Sequence, residues 1–451
     1  MYRKLLKSVR EYKKATFLAP ALVFCEVILE VLMPLIMASI IDKGIDKGDI
    51  SYIVKMGALL LACALGAMFF GIMAGKYASV SSAGFAKNLR KDMFYNVSTF
   101  SFANIDKFST GSIVTRLTTD VMNVQMAFQM LVRSAIRSPF MLIFSLVSCL
   151  LIEPSLAVIY LICTPVLGLG LIFIASKAHP TFERVFKTYD KLNTVVGENL
   201  SGIRVVKSFV REEHEKDKFE EVSTSIYKDF SKAEKLLAFN SPLMQLCMYS
   251  CMLFISWFGA RLIVTSGNDA SLGLTTGQFM SFITYSMQIL MSLMMFSMIF
   301  VMLTISKASR ERIAEILDEK SSLTSPENAK TYIADGSIEF RDVDFSYSKD
   351  AEKLVLENIN LKIRSGETVG ILGSTGSSKS SLVSLIPRLY DVSDGAVLVG
   401  GTDVREYDLD TLRNNVAMVL QKNVLFSGSI MENLIFSIIS SDETALIRVD
   451  S

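Results

Sequence analysis

The sequence predicts an α-helical, polytopic membrane domain of six spans with long cytosolic helical extensions, followed by a partial α/β domain built around a phosphate-binding loop. Three observations point there. Up to about Lys307 the apolar residues gather into runs close to the ~20 residues that cross a ~30 Å hydrocarbon core. Beyond it, apolar and polar residues alternate as in a half-buried sheet. A glycine-bearing turn, GSTGSSKSS, then joins a run that reads as strand to one that reads as helix. The 51% hydrophobic content of the 451 residues agrees with a membrane protein. With 46 basic against 45 acidic residues the net charge is +1, so no field of one sign exists to recruit nucleic acid, and that function class is set aside.

Six spans are expected at Phe17–Ile41, Ile53–Gly75, Ile136–Ile152, Leu156–Ser176, Pro242–Val264 and Phe279–Ile305. An even number places both termini on one side. Arg3, Lys4, Lys7, Arg10, Lys13 and Lys14 precede the first span, and the two long inter-span segments are rich in Lys and Arg. The loops Asp42–Tyr52, Glu153–Ser155 and Thr265–Gly277 carry only Lys43 and Lys47. Positive residues stay inside, so both termini are expected in the cytoplasm of a multi-pass protein of the plasma (inner) membrane.

Between spans two and three, and again between four and five, about 60 residues keep helical periodicity, so these connections read as helices continuing into the cytosol. In the second of them Phe182, Val185, Phe186, Tyr189, Leu192 and Val196 recur at spacings of three and four, an apolar stripe on a charged helix. A helix from Leu156 to Gly202 would be ~70 Å long at ~1.5 Å per residue, more than twice the bilayer core. Independent cytosolic hairpins are the alternative. The basic, amphipathic Met1–Lys14 leads into an apolar run too long for a signal-peptide core and without a small-residue cleavage site, so it is expected to remain as a helix. Cys25, Cys63, Cys149, Cys163, Cys247 and Cys251 all lie in apolar runs without zinc-site spacing and read as small packing residues. Residues 1–318 are thus assigned to the membrane domain, the Ser-, Pro- and Gly-bearing 319–336 to a linker, and 337–451 to the second domain.

From Ser337 the order is strand (SIEFRDVDFSY), strand (ENINLKI), then a glycine-rich turn and a helix, with ETVGILG running into STGSSKSSLVSLI. A loop of this layout wraps backbone N–H groups around phosphates at a helix start, while a lysine reaches the outer phosphates and a hydroxyl ligates Mg²⁺. The candidate binding residues are Gly373, Ser374, Thr375, Gly376, Ser377, Ser378, Lys379, Ser380 and Ser381, with Lys379 on phosphate and Ser380 on the metal. The pattern G-x-x-x-x-G-K-[ST] requires glycine before the lysine, and here Ser378 stands there. If that position has positive φ, a β-carbon costs ~1–2 kcal/mol, a weakening of roughly 5- to 30-fold in affinity.

With this loop, the downstream run VAMVLQKNVLFSGSIMENL, and the segments TGSIVTRLTTDV and ENLSGIRVVKSF, the chain resembles a half-transporter of the ATP-binding cassette exporter type along nearly its whole length. The last two segments look like the family's cytosolic connections that dock on nucleotide domains. The resemblance implies ATP and Mg²⁺ as ligands, Tyr347 as the aromatic that stacks on adenine, and Gln421 as the glutamine that touches Mg²⁺ and attacking water. It implies an ATPase coupled to export, pairing with an identical or unlike half in a lipid bilayer, and a small-molecule or lipid-like substrate. Hydrolysis in the family also needs a signature loop, an acidic strand end and a switch histidine. The sequence runs only a short way past GSIMENLIF, IISSDETALIRVDS lacks the usual continuation, and His179 and His214 both precede the second domain. A C-terminally truncated chain with little or no ATP hydrolysis of its own is therefore expected. A non-catalytic subunit relying on an intact partner, and a passive channel or receptor, are the competing readings.

Glu26 and Glu30 lie one helical turn apart in the first span and share a face. They either line a wet cavity that attracts cationic substrates, or sit at headgroups or against a neighbouring helix. Gln245, Gln288 and the Met291, Met294, Met295 and Met298 cluster are further candidates for that path or for packing.

Overall fold

The computed structural model describes residues 5–269, 273–347, 353–419 and 425–435. They form two compact units, one of Met1–Ser98 with Gly111–Glu319, the other of Thr99–Thr110 with the chain from Lys320 onward.

The first unit is helical. Its helices are α1 (Lys13–Ser39) and α2 (Ile50–Ser98), then α4 (Thr110–Thr115), α5 (Val121–Val132), α6 (Ser134–Ile152), α7 (Pro154–Ser208), α8 (Glu212–Ala238), α9 (Asn240–Ser266) and α10 (Thr276–Asp318); α3 belongs to the other unit. Six helical stretches among the described residues are long and apolar enough to cross a membrane, matching the six expected runs. Two of them continue far past any bilayer: α2 has 49 residues and α7 has 55, about 74 and about 83 Å at 1.5 Å per residue. The second long connection is therefore an extension of the spanning helix, not a separate hairpin. Its stripe packs on α8, where Phe182 meets Phe230 edge-on at 6.2 Å and Val185 is buried.

Helix ends are set by local chemistry. Pro154 occupies the first turn of α7, where its missing N–H costs nothing, and the Glu153 side chain accepts from Ser155 N at 3.3 Å. Thr275 and Gln278 cap α10 reciprocally. Asp42 adds a long-range clamp, accepting from Thr275 Oγ1 at 2.6 Å and Gly277 N at 2.8 Å. Gly277 is required there: a β-carbon would lie 2.3 Å from Ala38 O. In the core, Tyr160 donates to Phe282 O (2.7 Å), its ring parallel to Phe282 at 6.1 Å, and Tyr285 donates to Val31 O (2.6 Å). Cys149, Cys247 and Cys251 are buried in that apolar cluster, as packing residues should be. Gln288 accepts from Ser145 Oγ at 3.0 Å, a packing role.

The segment TGSIVTRLTTDV lies in the first unit, apart from its first residue. Two of its charged side chains bond to α10. Asp120, fully buried, accepts from Arg312 Nε (2.7 Å) and Ser309 Oγ (2.8 Å) and pairs with Arg312 Nη2. Arg116 pairs with Glu315 at 2.8 Å. The piece of this connection that joins the second unit is the preceding one, α3 (Phe102–Phe108), which the 1–318 assignment had placed with the spans. Ser101 and Asn104 cap it, Ser101 Oγ meets Ser322 Oγ at 2.7 Å, and Asn104 Nδ2 donates to Lys320 O at 3.1 Å.

The second unit carries an antiparallel sheet of order β2-β1-β3-β4, with β1 (Ile338–Phe345), β2 (Leu356–Ile363), β3 (Asp394–Val399) and β4 (Thr402–Asp403). Ile338 pairs with Ile363 on one side and Val399 on the other. Phe340, Val343 and Phe345 alternate into a core closed by α11 (Lys379–Leu385) and α12 (Leu409–Asn415) through Leu385 and Leu412. A short α13 (Ile430–Ile435) follows, its Ser429 and Glu432 bonding reciprocally at 3.1 and 2.7 Å.

Both expected strands form. The segment ETVGILG that runs into the loop carries no strand at 367–373, and Leu372 is 97% exposed. An apolar strand of a parallel sheet needs partners on its edges and cover on both faces, and the described residues provide only an antiparallel sheet whose neighbours are already assigned.

Candidate functional site

The nine loop residues sit between this unpaired apolar segment and α11. Ser377 N donates to Ser374 O (3.2 Å), closing the turn, and Ser378 O accepts from Leu382 N (3.0 Å), starting the helix. Gly376 has φ +88°, a conformation that disfavours any β-carbon, and a β-carbon on Gly373 would lie 2.5 Å from Ser377 Oγ. The Lys379 ammonium turns back over the loop and donates to Gly373 O (2.9 Å), Ser374 O (2.8 Å) and Ser377 Oγ (3.1 Å). A positive charge is thereby centred on the loop's own rim.

Ser378 adopts φ +60° and ψ +22°, the left-handed region. The departure from the motif thus falls on a position whose backbone conformation favours glycine. Its side chain makes no capping bond to the helix it precedes.

Tyr347, 34 positions before Ser381, is brought beside the loop. Its hydroxyl meets Ser381 Oγ at 2.8 Å, and Ser381 is buried while Tyr347 is 51% exposed, leaving much of the ring free to be covered. Phe345 and Tyr390 hold the ring edge-on at 4.8 and 5.1 Å. Tyr390 in turn donates to Asp106 Oδ2 of α3 at 2.8 Å, and its ring lies 6.0 Å from Phe102. Burial, then the Asp106 carboxylate, pushes the Tyr390 phenol above its ordinary pKa. Tyr390 and Asp106 were not singled out from sequence; a tyrosine 284 positions from its partner carries no local signal. Gln421 lies outside the described residues.

The donor set fits a magnesium triphosphate. Lys379 offers the charge, Ser380 stands in the first turn of α11 with a hydroxyl suited to Mg²⁺, and Tyr347 offers a half-exposed aromatic face. The fit is imperfect at Ser378, where a β-carbon occupies the glycine position.

In the membrane unit Glu26 and Glu30 are joined by one guanidinium. Arg137 on α6 donates through Nη1 to Glu26 Oε1 and through Nη2 to both Glu30 oxygens at 2.8 Å. Arg137 was missed, although it falls inside the expected third span, where a lone cation demands a partner. Gln245 is exposed.

Six apolar spanning helices and a phosphate-loop unit in one chain define a multi-pass membrane protein with a fused nucleotide domain. The chain belongs to the ABC transporter family: the model of the ABC transporter transmembrane region matches residues 16–311, and that of the ABC transporter nucleotide domain matches 356–450. It is similar to an uncharacterised ABC transporter ATP-binding protein of Mycobacterium tuberculosis, 35% identical over 396 residues, covering 86% of this chain and 66% of the relative. A Bacillus subtilis protein described in the same words is 32% identical over 389 residues, with the same coverage. The ATP-dependent lipid A-core flippase of Desulfotalea psychrophila is 28% identical over 363 residues, covering 80% and 62%. The chain thus spans a little under two thirds of the length of these curated relatives.

Proposed function

We propose that the chain acts as one half of an ATP-driven exporter, with Lys379 and the loop 373–381 seating the triphosphate, Ser380 and Gln421 reaching its Mg²⁺, and Tyr347 stacking on adenine. The observation that carries this reading is the convergence of Tyr347 on the loop through Ser381, at 2.8 Å, in a chain that also holds six spanning helices. Mg²⁺, where it binds such loops, withdraws charge from the phosphate oxygens. The chain's own part is to orient the nucleotide. A second half, identical or related, would complete the transporter, with both termini cytoplasmic in the plasma membrane as the basic residues of the loops indicate. A lipid-like or other small amphiphilic substrate suits the family and the flippase relative.

A second reading has its own support. The side chain that Ser378 adds where the motif has glycine favours a weakly binding, non-catalytic half that depends on an intact partner.

Photolabelling with an azido-ATP analogue in the presence of Mg²⁺ tests the proposal. Label is expected on peptides containing Tyr347 or 373–381, competed by ATP and lost in Lys379→Ala. Absence of competable label on those peptides would overturn the nucleotide reading.

A further inference from the structure

A cavity of about 540 Å³ opens between α1, α2 and the start of α6 in the membrane unit, lined by Glu26, Glu30, Met68, Ile72, Lys76 and Arg133 among others. Its polar walls are built into the helices rather than scattered on them. On α2, Gly71 and Gly75 stand one turn apart. A β-carbon at Gly71 would lie 3.1 Å from Glu26 Oε1, and one at Gly75 would lie 3.3 Å from Arg133 Nη1. Each glycine therefore makes room for one charged group, and the two glycines are about 6 Å apart along the helix axis.

These groups are not all satisfied by each other. Arg137 takes Glu26 Oε1 and both oxygens of Glu30, but Glu26 Oε2 is buried and, among the described residues, accepts no hydrogen bond. Glu26 as a whole is only 5% exposed. Neither Lys76 nor Arg133 has an ion-pair partner among the described residues. A carboxylate oxygen without a donor and two cations without a counterion, in apolar spans, are each costly in isolation. The expectation that this site attracts a simple cation does not survive that inventory. Against the two carboxylates stand Arg137, Arg133 and Lys76, so a ligand carrying positive charge alone would be repelled at one end.

We propose that this groove holds the headgroup of a zwitterionic membrane lipid, its primary ammonium donating to Glu26 Oε2 and its phosphate lying against Arg133 and Lys76. An ammonium and a phosphate joined by two carbons reach across a gap of the order set by Gly71 and Gly75. A quaternary ammonium has no N–H for Glu26, and a headgroup without an amine leaves Oε2 unmet. Met68 and Ile72, on the same wall and each 57% exposed, offer the apolar edge along which acyl chains would leave the groove. A lipid rather than a soluble metabolite is favoured because every lining residue belongs to a membrane-crossing helix. The inference rests on the exporter reading in so far as the lipid is a transported substrate.

The test uses the full 451-residue chain in detergent, with dihexanoyl phosphatidylethanolamine, phosphatidylcholine and phosphatidylglycerol as probes, and soluble phosphoethanolamine as a fourth. Phosphatidylethanolamine is expected to bind about tenfold more tightly than either other lipid and than the soluble headgroup. Arg133→Gln, which breaks no ion pair of the fold, should weaken phosphatidylethanolamine and phosphatidylglycerol alike. Glu26→Gln should erase the preference between those two while leaving phosphatidylglycerol bound. Equal binding of phosphatidylcholine, no response to Arg133→Gln, or soluble phosphoethanolamine matching the lipid would each overturn the proposal. Azido-ATP labelling of the same preparation separates the two readings. Lost lipid preference with labelling intact sinks the groove alone, while intact lipid preference without labelling supports the groove and sinks the exporter reading.

Discussion

Ser378→Gly is the substitution that most directly probes the nucleotide loop. Serine at φ +60° and ψ +22° bears roughly 1–2 kcal/mol of left-handed strain. Glycine removes it but returns about 0.4–1 kcal/mol through the greater freedom of the unfolded chain. The net expectation is about 0.5–1 kcal/mol in favour of the folded loop. Where that gain appears is the informative part. Where the free and the bound loop share the left-handed conformation, the strain is common to both and cancels from the affinity. Strain relief should therefore register as loop stability. Affinity should change only in so far as the serine side chain crowds a phosphate. Hydrogen exchange at residues 373–385 reads the first quantity, since 0.5–1 kcal/mol slows opening by about 2- to 5-fold. Nucleotide titration reads the second. Ser378→Ala separates the two, because alanine keeps the β-carbon and its strain while dropping the hydroxyl. Slower exchange in Ser378→Gly and not in Ser378→Ala is expected. Unchanged or faster exchange in the glycine variant would refute the claim that this position is strained.

The remaining predictions concern the frame around the sites. Arg312→Met leaves the fully buried Asp120 carboxylate with Ser309 but no guanidinium, and should cost about 3 kcal/mol, read as a lowered unfolding midpoint in detergent that Asp120→Asn partly restores in the double variant. Gly277→Ala pushes a methyl group to 2.3 Å from Ala38 O and should destabilise the membrane unit by roughly 1–3 kcal/mol, visible in the same melt; a wild-type midpoint would show the α1–α10 contact to be looser than described. The Tyr390 phenol, raised above its ordinary value near 10, loses its proton later in the folded chain than in the unfolded one. The folded state then binds more protons above pH 10, so this group's contribution is whole below that pH and declines as pH rises through the folded pKa. Tyr390→Phe should remove that alkaline decline, and an ultraviolet phenolate titration should lose one late-ionising component.

Much of the membrane unit was readable as a string of residues. A run of about twenty apolar side chains has few ways to be satisfied other than as a spanning helix, because each backbone group must be paired within the segment. The continuation of α2 and α7 beyond the bilayer was likewise visible in unbroken helical periodicity. Pairings were not visible. Glu26 and Glu30 announced themselves as carboxylates at membrane depth, but Arg137, 111 positions from Glu26, became their partner only when α6 packed on α1. The same holds for Tyr390 and Asp106, and for Asp120 and Arg312, 192 positions apart.

The segment ETVGILG shows why local pattern is not enough. Its apolar residues have strand character, yet Leu372 stands exposed, since sheet formation is a property of neighbours and not of the segment.

What the amino-acid order determined by itself was the covalent logic of the chain: where it is apolar enough to enter lipid, where glycine, lysine and serine are spaced for a phosphate, and that a serine replaces a glycine before the lysine. What only the folded structure decided was which distant groups meet, namely Tyr347 with Ser381 and one arginine with two glutamates, and that Ser378 takes the left-handed conformation. Spacing along a chain is a local quantity that a helix or turn converts directly into geometry. Contacts across hundreds of residues depend on how whole elements pack, and that is settled only when burial, charge and hydrogen bonding are satisfied together.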